Sequence, residues 1–170
     1  GVPFGATPEQ TEALFSQMNG VLFPGGATEL GGSARILFEL AEAANAADDF
    51  FPVWGTCLGF QWLMQLGSSN ESGALCLGCF DAGNLENALE LNQTASSSRL
   101  LGSISPELLA IAGSDAITFN NHHDGVRPAV FDADPGLSTN WSILSTNRGR
   151  DGEEYVSTVE HKSRPYYGIQ

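Results

Sequence analysis

Cys57 lies in Gly55-Thr56-Cys57-Leu58-Gly59, a cysteine with a glycine two positions away on either side. The apolar run Phe51-Pro52-Val53-Trp54 precedes it, and the apolar-rich segment Leu58 to Leu66 follows. Strand, sharp turn and helix in that order make a nucleophile elbow, in which glycines admit the close chain reversal and leave the central side chain at the tip. The positive end of the following helix and its unpaired amides favour a thiolate there. The chemistry this predicts is acyl transfer with Cys57 as nucleophile. The competing reading is a buried structural cysteine, because free cysteine is among the most buried residue types.

The elements that would position Cys57 are read from local signals. Thr7-Pro8-Glu9-Gln10 predicts a helix start, with Thr7 as N-cap, Pro8 at the first helical position and Gln10 completing a capping box; Asn19-Gly20 should end that helix. Val21-Leu22-Phe23 reads as a strand covered on both faces and runs into Pro24-Gly25-Gly26. A second helix is expected from Ser33 to about Ala44, before a second buried strand at 51 to 54. This alternation is that of an α/β protein whose site gathers at the carboxyl ends of parallel strands. Further strands are expected at 74 to 80, 86 to 91, 141 to 145 and 154 to 159, with a short helix from Pro106 and a hairpin turn over 147 to 152. No linker or repeat divides residues 1–170, which read as one domain.

Composition excludes several classes. The formal charge is −13 with only seven basic residues, against nucleic acid or anionic lipid as main partners. No apolar run reaches the ~18 residues of a membrane span. Any anionic substrate would meet backbone amides or a few of the arginines and lysines, four of which lie from Arg127 to Lys162. Cys76-Leu77-Gly78-Cys79 has the C-x-x-C form, but its apolar neighbours suggest strand packing rather than a metal or redox site. His122-His123 with Asp124 lacks the further ligands of a metal centre. His161, beside Lys162 on a predicted strand, is expected to face solvent. Asn70, Asn92 and Asn140 begin N-x-S/T triplets compatible with secretory passage.

Residues 19–26 (NGVLFPGG) and 51–60 (FPVWGTCLGF), with Asn120-Asn121-His122-His123 and the stretch from Ser157 to Gln170, closely resemble γ-glutamyl hydrolases, folate polyglutamate peptidases related to class I glutamine amidotransferases. The resemblance implies a class I glutamine amidotransferase-like (flavodoxin-like) fold, a mostly parallel sheet flanked by helices and truncated at both ends. It implies hydrolysis of γ-glutamyl bonds in folyl or antifolyl poly-γ-glutamates through a thioester on Cys57, without cofactor or metal. Gly25, Gly26 and Leu58 would supply oxyanion amides, and His122 and Gln61 would contact substrate. The base would be a histidine in a His-Pro-Glu motif following Gln170, so the chain alone is expected to be inactive. Vacuolar, lysosomal or extracellular residence and a homodimer are compatible with it. Gln61 departs from the glutamate common in these hydrolases and matches glutamine amidotransferases. A glutaminase domain serving a synthase and a catalytically inactive relative therefore stand as alternatives.

Overall fold

The computed structural model describes all of residues 1–170. Its helices are α1 (Pro8–Phe15), α2 (Gly32–Ala46), α3 (Leu58–Gly67), α4 (Pro106–Ser114), α5 (Pro128–Ala133) and α6 (Pro135–Asn140). The strands are β1 (Val21–Phe23), β2 (Val53–Thr56), β3 (Ala82–Asn87), β4 (Glu90–Leu91), β5 (Thr118–His122), β6 (Trp141–Arg148), β7 (Glu154–His161) and β8 (Tyr166–Ile169). Six strands form one sheet in the order β1-β2-β8-β7-β6-β4, while β3 and β5 form a separate antiparallel pair. Pairing is parallel from β1 through β2 to β8, the part that leads to Cys57, and antiparallel from β8 through β7 and β6 to β4.

Local chemistry sets the helix starts. The Gln10 amide donates to Thr7 Oγ1 at 3.3 Å and the Thr7 amide to Gln10 Oε1 at 3.0 Å, so the reciprocal cap forms; α1 ends at Phe15, earlier than Asn19-Gly20 suggested. Asp134 caps α6 and also ties down the chain after α3. Burial raises its pKa, but the Ser68 hydroxyl and the amides of Ser69, Leu137 and Asn70 outweigh it and hold the carboxyl at about 2.

The core lies on one face of the sheet. Phe23, Val53 and Tyr166 from the strands meet Leu37 and Ala41 of α2 and Phe60, Leu63 and Met64 of α3. The opposite face of β1 is open, with Leu22 63% exposed, so the expectation of a strand covered on both faces does not hold. Glycines let α3 lie against the strands: a Cβ on Gly59 would sit 2.0 Å from the Phe23 carbonyl oxygen, and one on Gly55 would sit 2.5 Å from that of Gly59.

Two other expectations are corrected. Residues 74–80 form no strand. Cys76 makes one isolated bridge to Gly125, and the chain then turns through Gly78 at φ +65° so that Cys76 and Cys79 join in a disulfide with Cα atoms 5.6 Å apart. A strand would hold those Cα atoms ~10 Å apart, which is why strand packing and a disulfide are exclusive readings of this segment. His161 does not face solvent: it is buried edge-on to the rings of Trp141 and Tyr166 at the end of β7. Burial first, and then the charges of Arg164, Arg99 and Lys162, press its pKa down to about 4. No helix is long and apolar enough to cross a membrane.

Candidate active site

Cys57 occupies the junction between β2 and α3, at φ 52° and ψ −109°. Non-glycine residues seldom adopt positive φ, and such a conformation costs about 1–3 kcal/mol unless its surroundings impose it. Here they do. The Cys57 amide donates to the Ile169 carbonyl at the end of β8 (2.8 Å), its carbonyl accepts from the Gln61 amide (3.0 Å), and the Gly59 amide donates to Pro24 (3.1 Å). The three parallel strands are thereby drawn together around a thiol that is partly exposed.

The turn after β1 faces the same point. A Cβ on Gly25 would lie 3.5 Å from Cys57 Cβ and 4.0 Å from its Sγ, and one on Gly26 would lie 3.2 Å from Leu58 Cδ2. The Gly25 and Gly26 amides donate to no acceptor within the protein, and the Leu58 amide belongs to the first turn of α3, where no intrahelical acceptor exists. Gly25, Gly26 and Leu58 thus stand around the cysteine, with amides able to meet a developing oxyanion.

A cleft of about 870 Å³ opens over Cys57 and is lined on its far side by Asn121, His122, His123 and Asp124. The two histidines differ. His123 is exposed and donates from Nδ1 to the Phe80 carbonyl at 2.9 Å. His122 is buried and donates from Nδ1 to the Asp124 carbonyl at 2.9 Å, while its Nε2 is enclosed without a partner. Burial lowers its pKa and so favours the neutral ring, against the opposing pull of the Asp124 carbonyl. Gln61 is also turned inward: its Nε2 donates to that same carbonyl at 3.0 Å and to Gln170 Oε1 at 3.3 Å. Gln61 also lines the cleft, and through Nε2 it ties α3 to the His122 wall and to the end of β8. Sequence reasoning missed His123, although its place beside His122 was in view.

The stretch from Arg127 to Lys162 does not supply the cleft. Arg127 pairs with Glu153, Arg148 with Glu154, Arg150 with Asp81, and Lys162 donates to the Ser138 carbonyl. The lining carries Glu29, Glu71 and Asp124 and no arginine or lysine, so backbone amides and neutral polar side chains such as Asn121 and Gln65 are the groups left to receive an anion. Neither the cleft nor any other part of the molecule gathers three His, Cys, Asp or Glu side chains in reach of one metal ion.

No protein-family model matches the sequence. Curated relatives do: human γ-glutamyl hydrolase is 35% identical over 172 residues, covering 96% of this chain and 52% of that protein. Arabidopsis thaliana γ-glutamyl hydrolase 1 is 34% identical over 169 residues (95% and 48%), and Dictyostelium discoideum γ-glutamyl hydrolase B is 30% identical over 167 residues (95% and 47%). The chain spans about half the length of the curated relatives it matches. Among solved structures, the glutaminase domain of Trypanosoma brucei CTPS with bound acivicin superposes with a TM-score of 0.56 at 16% identity, over 95% of this chain and 65% of that one. That likeness concerns the fold alone. Along its 170 residues, then, the chain is a homologue of the γ-glutamyl hydrolases, built on a class I glutamine amidotransferase-like fold.

Proposed function

We propose that this chain carries the nucleophile-bearing part of a cysteine-dependent hydrolase of γ-glutamyl bonds in folyl and antifolyl poly-γ-glutamates. The observation that supports it most is the backbone of Cys57, held at φ 52° beneath the cleft at the first turn of α3. In this reading the Cys57 thiolate attacks the γ-carbonyl carbon, and the oxyanion meets the amides of Gly25, Gly26 and Leu58. Collapse of the adduct expels the amine, which takes a proton from the general acid, and leaves a thioester; water then cleaves the thioester and restores the thiol. The Cys57 amide bond to Ile169 sets β8 beside the sulfur, so a histidine following Gln170 would enter the site as the base. His122 and Gln61 shape the wall of the cleft that takes the substrate. Residence in an acidic vacuolar or lysosomal lumen, or outside the cell, belongs to the same proposal, as does a homodimer.

The test is to incubate the full-length protein with pteroyl-pentaglutamate and, separately, with free glutamine. Shortened folates with released glutamate are expected, and Cys57→Ala should lower the rate by about 10⁴-fold or more while calorimetry still detects substrate binding. Ammonia from glutamine without shortened folates would instead establish a glutaminase, the reading that Gln61 favours.

A further inference from the structure

The turn Cys76-Leu77-Gly78-Cys79 has a buried side that grips the far wall of the cleft. The Cys76 amide donates to the Gly125 carbonyl at 2.8 Å and the Gly125 amide returns a bond at 3.3 Å; the Gly78 amide donates to Asp124 Oδ1 at 2.7 Å. Just beyond the turn, the Phe80 amide donates to the His123 carbonyl at 3.0 Å and accepts the His123 Nδ1 proton on its own carbonyl. Leu75 and Leu77 also line the cleft. Residues 123–125 are therefore held by hydrogen bonds, and His122 by the edge-on Phe80 ring, to one short segment whose shape is fixed by the Cys76–Cys79 bond.

The outer side of the turn is open. Leu77 is 72% exposed, Gly78 is exposed and both cysteines are partly exposed, so a second thiol can approach the bond. Arg127 Nε lies 3.5 Å from Cys76 Sγ, where a guanidinium stabilises a departing thiolate. A disulfide closing so short a loop removes little entropy from the unfolded chain, so the bond contributes least to global stability and most to the shape of the turn.

We propose that Cys76–Cys79 is a reversible redox site, opened by a dithiol reductant, whose state sets the order of the His122–Gly125 wall and with it the affinity of the cleft for substrate. A reductant thiolate attacks Cys79 Sγ and Cys76 leaves as a thiolate beside Arg127. The second reductant thiolate then attacks the mixed disulfide on the reductant's own sulfur and displaces Cys79. Two electrons and two protons pass to the protein, and the reductant departs as its own disulfide. The statement about affinity rests on the poly-γ-glutamate reading, whereas the statement about the wall does not.

The experiment uses the 170-residue chain with Cys57→Ala, which leaves Cys76 and Cys79 as its only cysteines. Iodoacetamide adducts counted by mass should rise from none to two after dithiothreitol without denaturant. Hydrogen exchange across residues 120–126 should then accelerate about ten-fold or more while β7 stays protected. Calorimetry with pteroyl-pentaglutamate should show affinity falling by about five-fold or more. Adding Cys76→Ser and Cys79→Ser should reproduce the reduced behaviour with or without reductant. A bond that resists dithiothreitol, exchange equal in the two states, a serine variant that matches the oxidised form, or exchange that changes while a measurable affinity does not would each overturn the proposal. Binding absent in both states would sink the poly-γ-glutamate reading and leave exchange to decide the redox site.

Discussion

The parallel half of the sheet and its antiparallel half solve different problems with the same backbone. From β1 through β2 to β8 the strands are three or four residues long, and the turns after β1 and β2 carry amides left unpaired and a cysteine at positive φ. From β7 to β6 the strands are eight residues long, pair through most of their length and bury nearly every side chain of β7. The first region holds an unfavourable local conformation in place. The second supplies cooperative pairing that can offset such a cost, since sparsely populated backbone states persist only where the surrounding structure imposes them.

The sharpest way to separate the two regions is to add one methyl group to a glycine in each. Gly59→Ala would drive a Cβ to 2.0 Å from the Phe23 carbonyl oxygen, a backbone clash that no rotamer relieves. Gly152→Ala, in the β6–β7 turn at φ 80°, meets nothing within 4 Å and strains only its own backbone. Urea unfolding should show Gly59→Ala losing about 3–5 kcal/mol and Gly152→Ala about 1 kcal/mol. Equal losses would mean that α3 is not pressed against β1.

The same contrast explains what could be read from the chain in advance. The α1 capping box, the Cys57 elbow and the β6–β7 hairpin are each encoded within one contiguous stretch of chain, and each forms. What could not be read depends on distant partners. β8 lies between β2 and β7, His161 is enclosed by Trp141 and Tyr166, and Gln61 turns inward because Asp124 and Gln170 arrive from other elements. The Cys76 turn was misread because an apolar run has the same composition in a strand and in a cleft wall. The short helices α5 and α6 carry prolines at their first positions, a local signal that was present and unused.

Acid should weaken the antiparallel half through His161. Its Nδ1 accepts from the amides of Ser163 at 3.2 Å and Arg164 at 3.0 Å, so it must carry a lone pair in the folded state. The folded pKa of about 4 lies below the ordinary value of 6.5, so the unfolded chain binds the proton more readily. Stability is then complete above pH ~6.5 and declines as pH falls through the window down to ~4, by roughly 1–2 kcal/mol after solvent screening. His161→Asn, which keeps an acceptor but cannot be protonated, should flatten this part of the curve of melting temperature against pH. An unchanged slope would assign the acid sensitivity elsewhere.

The smallest effect bears most directly on the elbow. Cys57→Ala and Cys57→Gly both remove the sulfur, yet only glycine occupies φ 52° without steric cost. Glycine also has more freedom to lose on folding, which offsets part of the relief. The Cys57→Gly protein should therefore exceed Cys57→Ala in unfolding free energy by about 1 kcal/mol, read from urea midpoints at equal slope. If alanine is the more stable of the two, position 57 is not strained, and the backbone that aims the thiol into the cleft is simply what the strand and helix prefer. A gain with glycine would instead mean that stability is sacrificed to present the sulfur, in the half of the sheet whose short strands contribute least to meeting that cost.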